Sequence, residues 1–243
     1  MGQSRSFIAL VFVALLLGVA GCASPPPLTA AVKETPSLAA EYAALQSSQG
    51  GRRYGLDLKA SSLRIYVFRG GQAARLGHNH VLSAPEFSGF AWLPARGTTG
   101  GRFDLAFRLD RLEIDNPQAR AEAGAAWSSK PSAADIAGTR EHMLESLEAD
   151  RYPWLRVRSL QLSGELPKMA AQVEIELHGQ TRSVWLPLMV TEQANRLTAN
   201  GALVLRQSDF GIRPYSVFGG LLAVQDELVI EFTLVGNGLS AGG

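Results

Sequence analysis

The residues with the most definite chemistry are two histidines, His78 and His80. Residues two apart on a strand point to the same face, so both imidazoles would be available to one metal ion. His142, in a later helical segment, would be the third ligand. No acidic cluster and no second cysteine accompanies them. We therefore predict no metal ligands, and expect His80 or His142 to hydrogen-bond to backbone groups and His178 to have a structural role beside a turn.

Known catalytic motifs are absent from the sequence. It contains no Gly-x-Ser-x-Gly elbow and no Walker loop. Glu174 and Glu176 are two apart, but they alternate with apolar residues, which indicates the solvated face of a strand. We predict that the protein is not an enzyme and has no cofactor.

The one cysteine, Cys22, has a context that predicts lipid attachment. Arg5 precedes an apolar run from Phe7 to Leu17, which is too short for a membrane span of about 20 residues. The small residues that end at Cys22 resemble a bacterial lipoprotein signal, with an ordinary secretory signal as the alternative. The resemblance implies a signal peptide at residues 1–21, an acylated Cys22 that anchors the protein to a membrane, and a location on the periplasmic side of the envelope. Ala23 resembles outer-membrane rather than inner-membrane sorting signals.

Composition divides the remaining chain into three regions. Residues 22–52 are rich in Ala, Ser, Pro and Gln and predict a flexible tether, in which Leu38–Leu45 is compatible with one or two helical turns. Residues 53–238 predict one domain, and residues 239–243 a disordered tail. The formal net charge is +1, and no basic run exceeds two residues, so we expect no nucleic-acid partner.

The predicted domain at residues 53–238 consists mainly of strands, which would position the side chains of any binding site. Period-2 alternation and β-branched or aromatic residues predict about nine strands. These are 54–58, 63–69, 87–93, 103–109, 154–160, 173–178, 184–190, 197–206 and 227–234.

A helical insertion interrupts these strands. Asn116-Pro117 predicts the beginning of one helix, and Ser132 with Asp135 predicts a capping box for a second. Strands joined by short turns favour antiparallel pairing. We predict an all-β fold, an antiparallel barrel of about eight strands with a helical insertion.

The connection from Arg213 to Val224 is unusually apolar for a loop. It is consistent with a lid, a plug or a rim that touches a membrane, or with a segment that folds back onto the core.

Six short motifs follow one another along the chain, namely Ser62–Val67, His80 to Phe90, Arg140–Leu144, Tyr152–Ser159, Leu177–Val184 and Arg206–Ile212. Their order and spacing resemble the YceI-like family of bacterial lipid- and polyisoprenoid-binding proteins. The resemblance covers roughly residues 54–236, with a paired histidine where the family pattern has one. It implies a lipocalin-like barrel whose apolar interior holds an isoprenoid tail, such as that of a quinone or a polyprenyl carrier.

Alternating strand positions supply the predicted ligand-binding residues, which are Phe90, Trp92, Phe103, Leu105, Phe107, Leu203, Leu205 and Phe232. Arg140, His142 and Tyr215 are candidates for contact with a headgroup. We predict a lipid-anchored carrier, store or sensor of an amphiphilic isoprenoid-type lipid. The alternatives are a structural or adaptor lipoprotein with a filled barrel and, less favoured, a metal- or redox-linked protein that uses His78 and His80.

Overall fold

A computed structural model describes residues 38–240 of the chain. In this range there are three α-helices and twelve strands. They are α1 (Leu38–Gln49), β1 (Arg52–Leu56), β2 (Ser62–Gly70), β3 (His80–Ser83), β4 (Ser88–Leu93), β5 (Arg102–Arg108), β6 (Glu113–Ile114), α2 (Pro117–Ala123), α3 (Ala133–Ser146), β7 (Trp154–Glu165), β8 (Lys168–Leu177), β9 (Gln180–Gln193), β10 (Arg196–Arg206), β11 (Ser216–Val217) and β12 (Leu222–Leu239). The predicted signal peptide and Cys22 lie outside the described residues.

Eight of the described strands close into an antiparallel barrel, which confirms the predicted fold class. Their order is β1, β4, β5, β7, β8, β9, β10 and β12, and β12 pairs back to β1. Closure depends on the 18-residue length of β12, which pairs first with β2 and then, from Gly236 to Leu239, with β1. Strands β3 and β6 extend the sheet beyond β2. None of the helices described between residues 38 and 240 is sufficiently long and apolar to span a bilayer.

Tight turns join the longer strands. His178 and Gly179, with φ of +53° and +68°, form the two-residue connection between β8 and β9. Positive φ at both positions gives a turn whose twist matches the twist of the paired strands. This geometry explains why consecutive strands lie side by side.

Both helices of the insertion begin where their sequences predict. Asn116 accepts hydrogen bonds from the N–H groups of Gln118 and Ala119 at the start of α2. Ser132 and Asp135 form a capping box at the start of α3. Both arrangements satisfy N–H groups that have no partner within a helix.

The segment predicted as a flexible tether contains helix α1, which is packed on the barrel. Tyr42 is 1% exposed, its ring stacks on Phe90 at 5.7 Å, and its hydroxyl donates to Asp104 Oδ2 at 2.7 Å. A single buried tyrosine leaves no periodic apolar stripe in the sequence, so the tether prediction was wrong for Leu38–Gln49. The domain boundaries also move, because β1 begins at Arg52 and Leu239 pairs with Arg53.

The apolar connection forms a short hairpin. Ser216 lies opposite Ala223, and Val217 lies opposite Leu222. At the base, the ring of Tyr215 stacks on His142 of α3, whereas Phe218 at the tip is 79% exposed. The base therefore packs against the insertion, and the tip projects away from the core.

Candidate functional site

The barrel encloses an apolar space that we call the inner chamber. Its atom-free volume is about 1360 Å³, part of it open to solvent. Aliphatic and aromatic side chains form almost the whole wall, with Arg102 and Asp104 at its edge. A concave space walled almost wholly by apolar side chains is the usual form of a small-molecule site.

Seven of the eight predicted lining residues lie on the wall of this chamber. They are Phe90, Phe103, Leu105, Phe107, Leu203, Leu205 and Phe232. The pairing register supports this orientation, because Leu203 lies opposite Ile230 and Phe107 opposite Leu155, and all four residues line the chamber. Residues directly opposite in a sheet share one face.

Trp92 does not line the chamber, so its predicted position was wrong, whereas Phe90 lies on the wall at its border. Phe90 borders the chamber, but its ring stacks on Tyr42 of α1, and Trp92 Nε1 donates to Gly50 O at 2.7 Å. Ala91 is the inward residue and lies opposite Phe103. A shift of one residue exchanges the faces of a strand, and the prediction placed the large aromatic residues inside.

Small inward residues make the space. Gly89, Ala91, Ala199 and Gly236 all line the inner chamber. They alternate with larger outward residues, and this pattern of small residues was the sequence signal for a cavity.

Position 201 on β10 also requires a residue without a side chain, because the ring of Phe232 lies against it. A Cβ atom at this position would lie 2.5 Å from Cζ of Phe232, so glycine allows that ring to lie across β10. The register agrees, because Gly201 lies directly opposite Phe232.

Polar groups surround the hydroxyl of Tyr54, which lies on the wall of the inner chamber. The buried Tyr54 hydroxyl donates to Glu192 Oε1, and Arg52 Nε lies 2.6 Å from the same carboxylate. Burial and the hydrogen bond to Glu192 raise the pKa of Tyr54. The Tyr54 hydroxyl therefore stays neutral, and its hydrogen bond to Glu192 connects β1 to β9.

A second space, which we call the outer chamber, adjoins the inner one toward α3. Its atom-free volume is about 1070 Å³, again partly open to solvent. The two chambers share five wall residues, so they lie side by side with these residues between them. The shared residues are Ile65, Phe107, Leu155, Leu205 and Ile230.

The outer chamber has polar side chains that the inner chamber lacks. They are His80, Thr139, His142, Ser146, Gln207 and Tyr215. His142 and Tyr215 stack with ring centroids 4.3 Å apart and an interplanar angle of 22°. Two of the three candidate headgroup residues thus meet here.

Arg140, the third candidate, points elsewhere. Its guanidinium donates to Leu112 O at 2.8 Å and to Asp110 O. These bonds fasten α3 to the segment before β6, which is a structural role.

His80 belongs to a buried charged cluster that sequence reasoning missed. Its Nδ1 lies 2.6 Å from Oδ2 of Asp115, whose side chain is fully buried and also pairs with Arg120. Burial alone would raise the pKa of Asp115, but the hydrogen bonds from His80, Val81 and Arg120 and the charge of His80 hold it below its usual value. The expected bond from His80 to backbone is replaced by a bond to this carboxylate.

Arg120 connects the cluster to the insertion. It donates to Asn79 O at 2.8 Å and to both Ser129 O and Ser129 Oγ. The arrangement could not be found from spacing, because Asp115 follows His80 by 35 residues and has a φ of +56°.

His78 and His80 have different hydrogen-bond partners. His78 Nδ1 lies 3.2 Å from Ser129 Oγ, and the rings of His78 and His80 are 6.4 Å apart. Within residues 38–240, no three His, Cys, Asp or Glu side chains are grouped in a way that could hold a metal ion. His178 contacts Phe210 O at 3.0 Å and Glu148 Oε1 at 3.1 Å, which fastens its turn to two neighbouring segments.

Glu174 and Glu176 lie on the outer face of β8. They are opposite Arg158 and Arg156, and Glu176 pairs with Arg156 at 3.2 Å. They are separated from both chambers, so they offer no acid–base pair to a molecule inside the barrel.

A closed antiparallel barrel with an apolar interior and a polar mouth defines a lipocalin-like protein. The family model for the YceI-like domain matches residues 78–236. The chain therefore belongs to the YceI-like family. No curated protein sequence matches it significantly.

Two solved structures share this fold. BcnA from Burkholderia cenocepacia is 14% identical, with a TM-score of 0.53 over 74% of this chain and 98% of that one. A polyisoprenoid binding domain from Saccharophagus degradans, described as implicated in plant cell wall breakdown, is 16% identical, with a TM-score of 0.52 over 76% of this chain and 98% of that one. At these identities the likeness shows the fold alone.

Proposed function

We propose that the protein binds an amphiphilic isoprenoid-type lipid inside its barrel and acts as a carrier, store or sensor of that lipid. The tail occupies the inner chamber and the headgroup the outer chamber. The observation that carries this proposal is an apolar chamber inside the barrel that lies directly beside a second chamber with polar side chains, the two sharing five wall residues. The description of the similar Saccharophagus degradans domain as polyisoprenoid binding supports the same ligand class.

The apolar wall supplies the free energy of binding. Each buried CH₂ contributes about 0.8 kcal/mol, so a five-carbon unit contributes up to about 4 kcal/mol. No hydrogen bond along the tail is required, which suits a chain of methylated alkene units. Affinity is expected to increase with tail length until the chamber is full.

The outer chamber favours a neutral headgroup. Its described wall residues include no Lys or Arg, which a phosphate or diphosphate would need for compensation. The stacked rings of His142 and Tyr215 offer an aromatic surface, and His80 and Gln207 lie on the same wall. A quinone ring matches this combination better than a polyprenyl phosphate does.

We further propose that the mature protein is anchored to a bacterial membrane through acylated Cys22, on the periplasmic side and with the outer membrane preferred. The support is the apolar run followed by small residues and cysteine, together with Ala23. If this is correct, Cys22→Ser abolishes incorporation of labelled fatty acid and releases the protein from the membrane fraction. Retention of both properties in the variant would exclude this anchor.

The alternative is a filled barrel that serves only as an adaptor. The apolar inner chamber, with the small residues Gly89, Ala91, Ala199 and Gly236 on its wall, favours the ligand-binding proposal over a filled barrel.

Binding of defined lipids tests the proposed ligand class. The protein is incubated with quinones of increasing tail length and with a polyprenol, and bound lipid is counted by native mass spectrometry. We expect uptake that strengthens with tail length. His142→Leu with Tyr215→Leu should weaken quinone binding more than polyprenol binding. Equal weakening of both would contradict the assignment of the headgroup, and no uptake of either lipid would contradict the function.

A further inference from the structure

Three large apolar side chains project into solvent at the end of the barrel that holds the outer chamber. Leu76, Phe218 and Leu221 are 72%, 79% and 42% exposed, and we call them the rim. Exposed apolar residues that cluster mark interaction surfaces more often than scattered ones do.

Hydrogen bonds join the two loops that carry the rim. Ala73 N donates to Leu221 O at 2.8 Å, and Gln72 N donates to Gly220 O at 3.4 Å. Gly71 permits this approach, because a Cβ there would lie 2.6 Å from both carbonyl oxygens, those of Gly220 and Leu221. The rim is therefore one surface made by two loops.

The rim loops are continuous with the wall of the outer chamber. Tyr215 and Val224 line that chamber and lie at the two ends of the hairpin that carries Phe218. Val67 and His80, which flank the other loop, also line it. A surface that covers the rim would thus face the mouth of the interior.

All the charged side chains of the two rim loops are basic. Residues 69–80 and 210–225 contain Arg69, Arg75 and Arg213 and no Asp or Glu. All three arginines are exposed. At the foot of the hairpin, Asp226 is engaged by Ser208 through both its backbone N–H and its hydroxyl.

We propose that the rim inserts into the interface of a membrane that contains anionic lipids, and that the mouth of the barrel then opens toward the bilayer. The proposal rests on the proposed function, because a bilayer is where an isoprenoid lipid is dissolved. Apolar side chains enter the acyl boundary, while arginines beside them pair with anionic headgroups. This combination of exposed apolar tips and unbroken positive charge fits a lipid surface, and a purely apolar protein partner would not require the arginines.

Position-specific fluorescence quenching tests the insertion. The full chain carries Cys22→Ser and one environment-sensitive label, introduced by Phe218→Cys, Leu76→Cys or Val204→Cys. Val204 is the matched control, because it is 62% exposed and apolar but lies on β10, away from the rim loops. Each protein is mixed with anionic vesicles whose lipids do or do not carry bromine on the acyl chains.

We expect brominated lipids to quench the labels at 218 and 76 and to leave the label at 204 unchanged. Arg75→Gln with Arg213→Gln should reduce the equilibrium constant for insertion about 30-fold, from about 1 kcal/mol per basic residue near an anionic surface. Equal signals at 218 and 204 would overturn the proposal. A change in the fluorescence of the label at 218 that occurs without vesicles and grows with protein concentration would also overturn it. Such a result would assign the rim to contact with a second copy of the chain.

Lipid uptake from detergent, measured without vesicles, separates the two proposals. A protein that takes up quinone but shows no quenching at 218 would contradict the rim alone. Quenching at 218 without uptake of any isoprenoid lipid would contradict the proposed function and leave the rim as a membrane surface.

Discussion

The substitution Ala199→Phe tests whether the inner chamber is the binding site. Ala199 lies opposite Val190 and Leu234 on the inner face of β10, and all three residues line the chamber. A phenylalanine at this position directs six ring carbons into the space. The substitution therefore fills the site and breaks no described hydrogen bond.

The expected effects on affinity and on stability have opposite signs. The ring occupies about the space of one five-carbon unit, whose burial is worth up to about 4 kcal/mol, or close to a 1000-fold change in Kd. A lipid that shifts along the chamber recovers part of this loss, so we expect at least a tenfold weaker Kd. The free energy of unfolding without ligand should be unchanged or rise by about 0.5–2 kcal/mol, as for other cavity-filling substitutions.

Two further variants make this result interpretable. Val204→Phe, on the outer face of the same strand, should leave Kd unchanged. Ala91→Phe, on β4, should weaken binding as Ala199→Phe does, because Ala91 lines the same chamber from three strands away. Kd is measured by titration with a quinone, and unfolding is followed in urea. Undiminished affinity in both inward variants, with the fold intact, would refute the inner chamber as the site.

Three predictions concern the fold. Tyr42→Phe removes the hydrogen bond to Asp104 and should lower the free energy of unfolding in urea by about 1.5–3 kcal/mol. The pKa of Asp115 is lowered in the folded state, so its carboxylate stabilises the fold above the unfolded pKa of about 3.9. This stabilisation is lost as the pH falls through the folded pKa. Asp115→Asn should therefore be less stable than the parent protein at pH 7 and lose less stability below about pH 4. Gly201→Ala should destabilise the barrel by about 1–3 kcal/mol because its Cβ meets the ring of Phe232.

Each of these predictions has a discriminating comparison. Unchanged stability in Tyr42→Phe would show that α1 is not held by its hydroxyl. Identical pH profiles for the parent protein and Asp115→Asn would contradict the role of the buried carboxylate. Phe232→Leu should relieve the cost of Gly201→Ala in a double-mutant cycle, and additive effects would contradict the close contact.

Much of the fold follows from local patterns. The alternation in Phe103–Leu109 and in Leu197–Arg206 predicts which side chains enter the interior, because each strand has one buried face. Caps at Asn116 and Ser132 predict where the helices of the insertion begin. These signals lie within a few residues of the structure that they specify.

The remaining features depend on contacts between distant parts of the chain. In β4 the choice of face depends on α1, which covers Phe90 and Trp92 and leaves Ala91 to line the chamber. The outer chamber likewise forms only when α3 brings His142 to Tyr215. Alternation alone cannot decide such cases, because both faces of β4 are apolar.

The most direct test of lipid binding is native mass spectrometry of the protein purified from a bacterial host without detergent, with the chain beginning before Leu38 so that α1 is retained. Organic extraction of the same sample identifies whatever is bound. Our account predicts a discrete added mass that extracts as an isoprenoid lipid. A bare polypeptide mass, from a protein that also fails to take up added quinones or polyprenols, would contradict it.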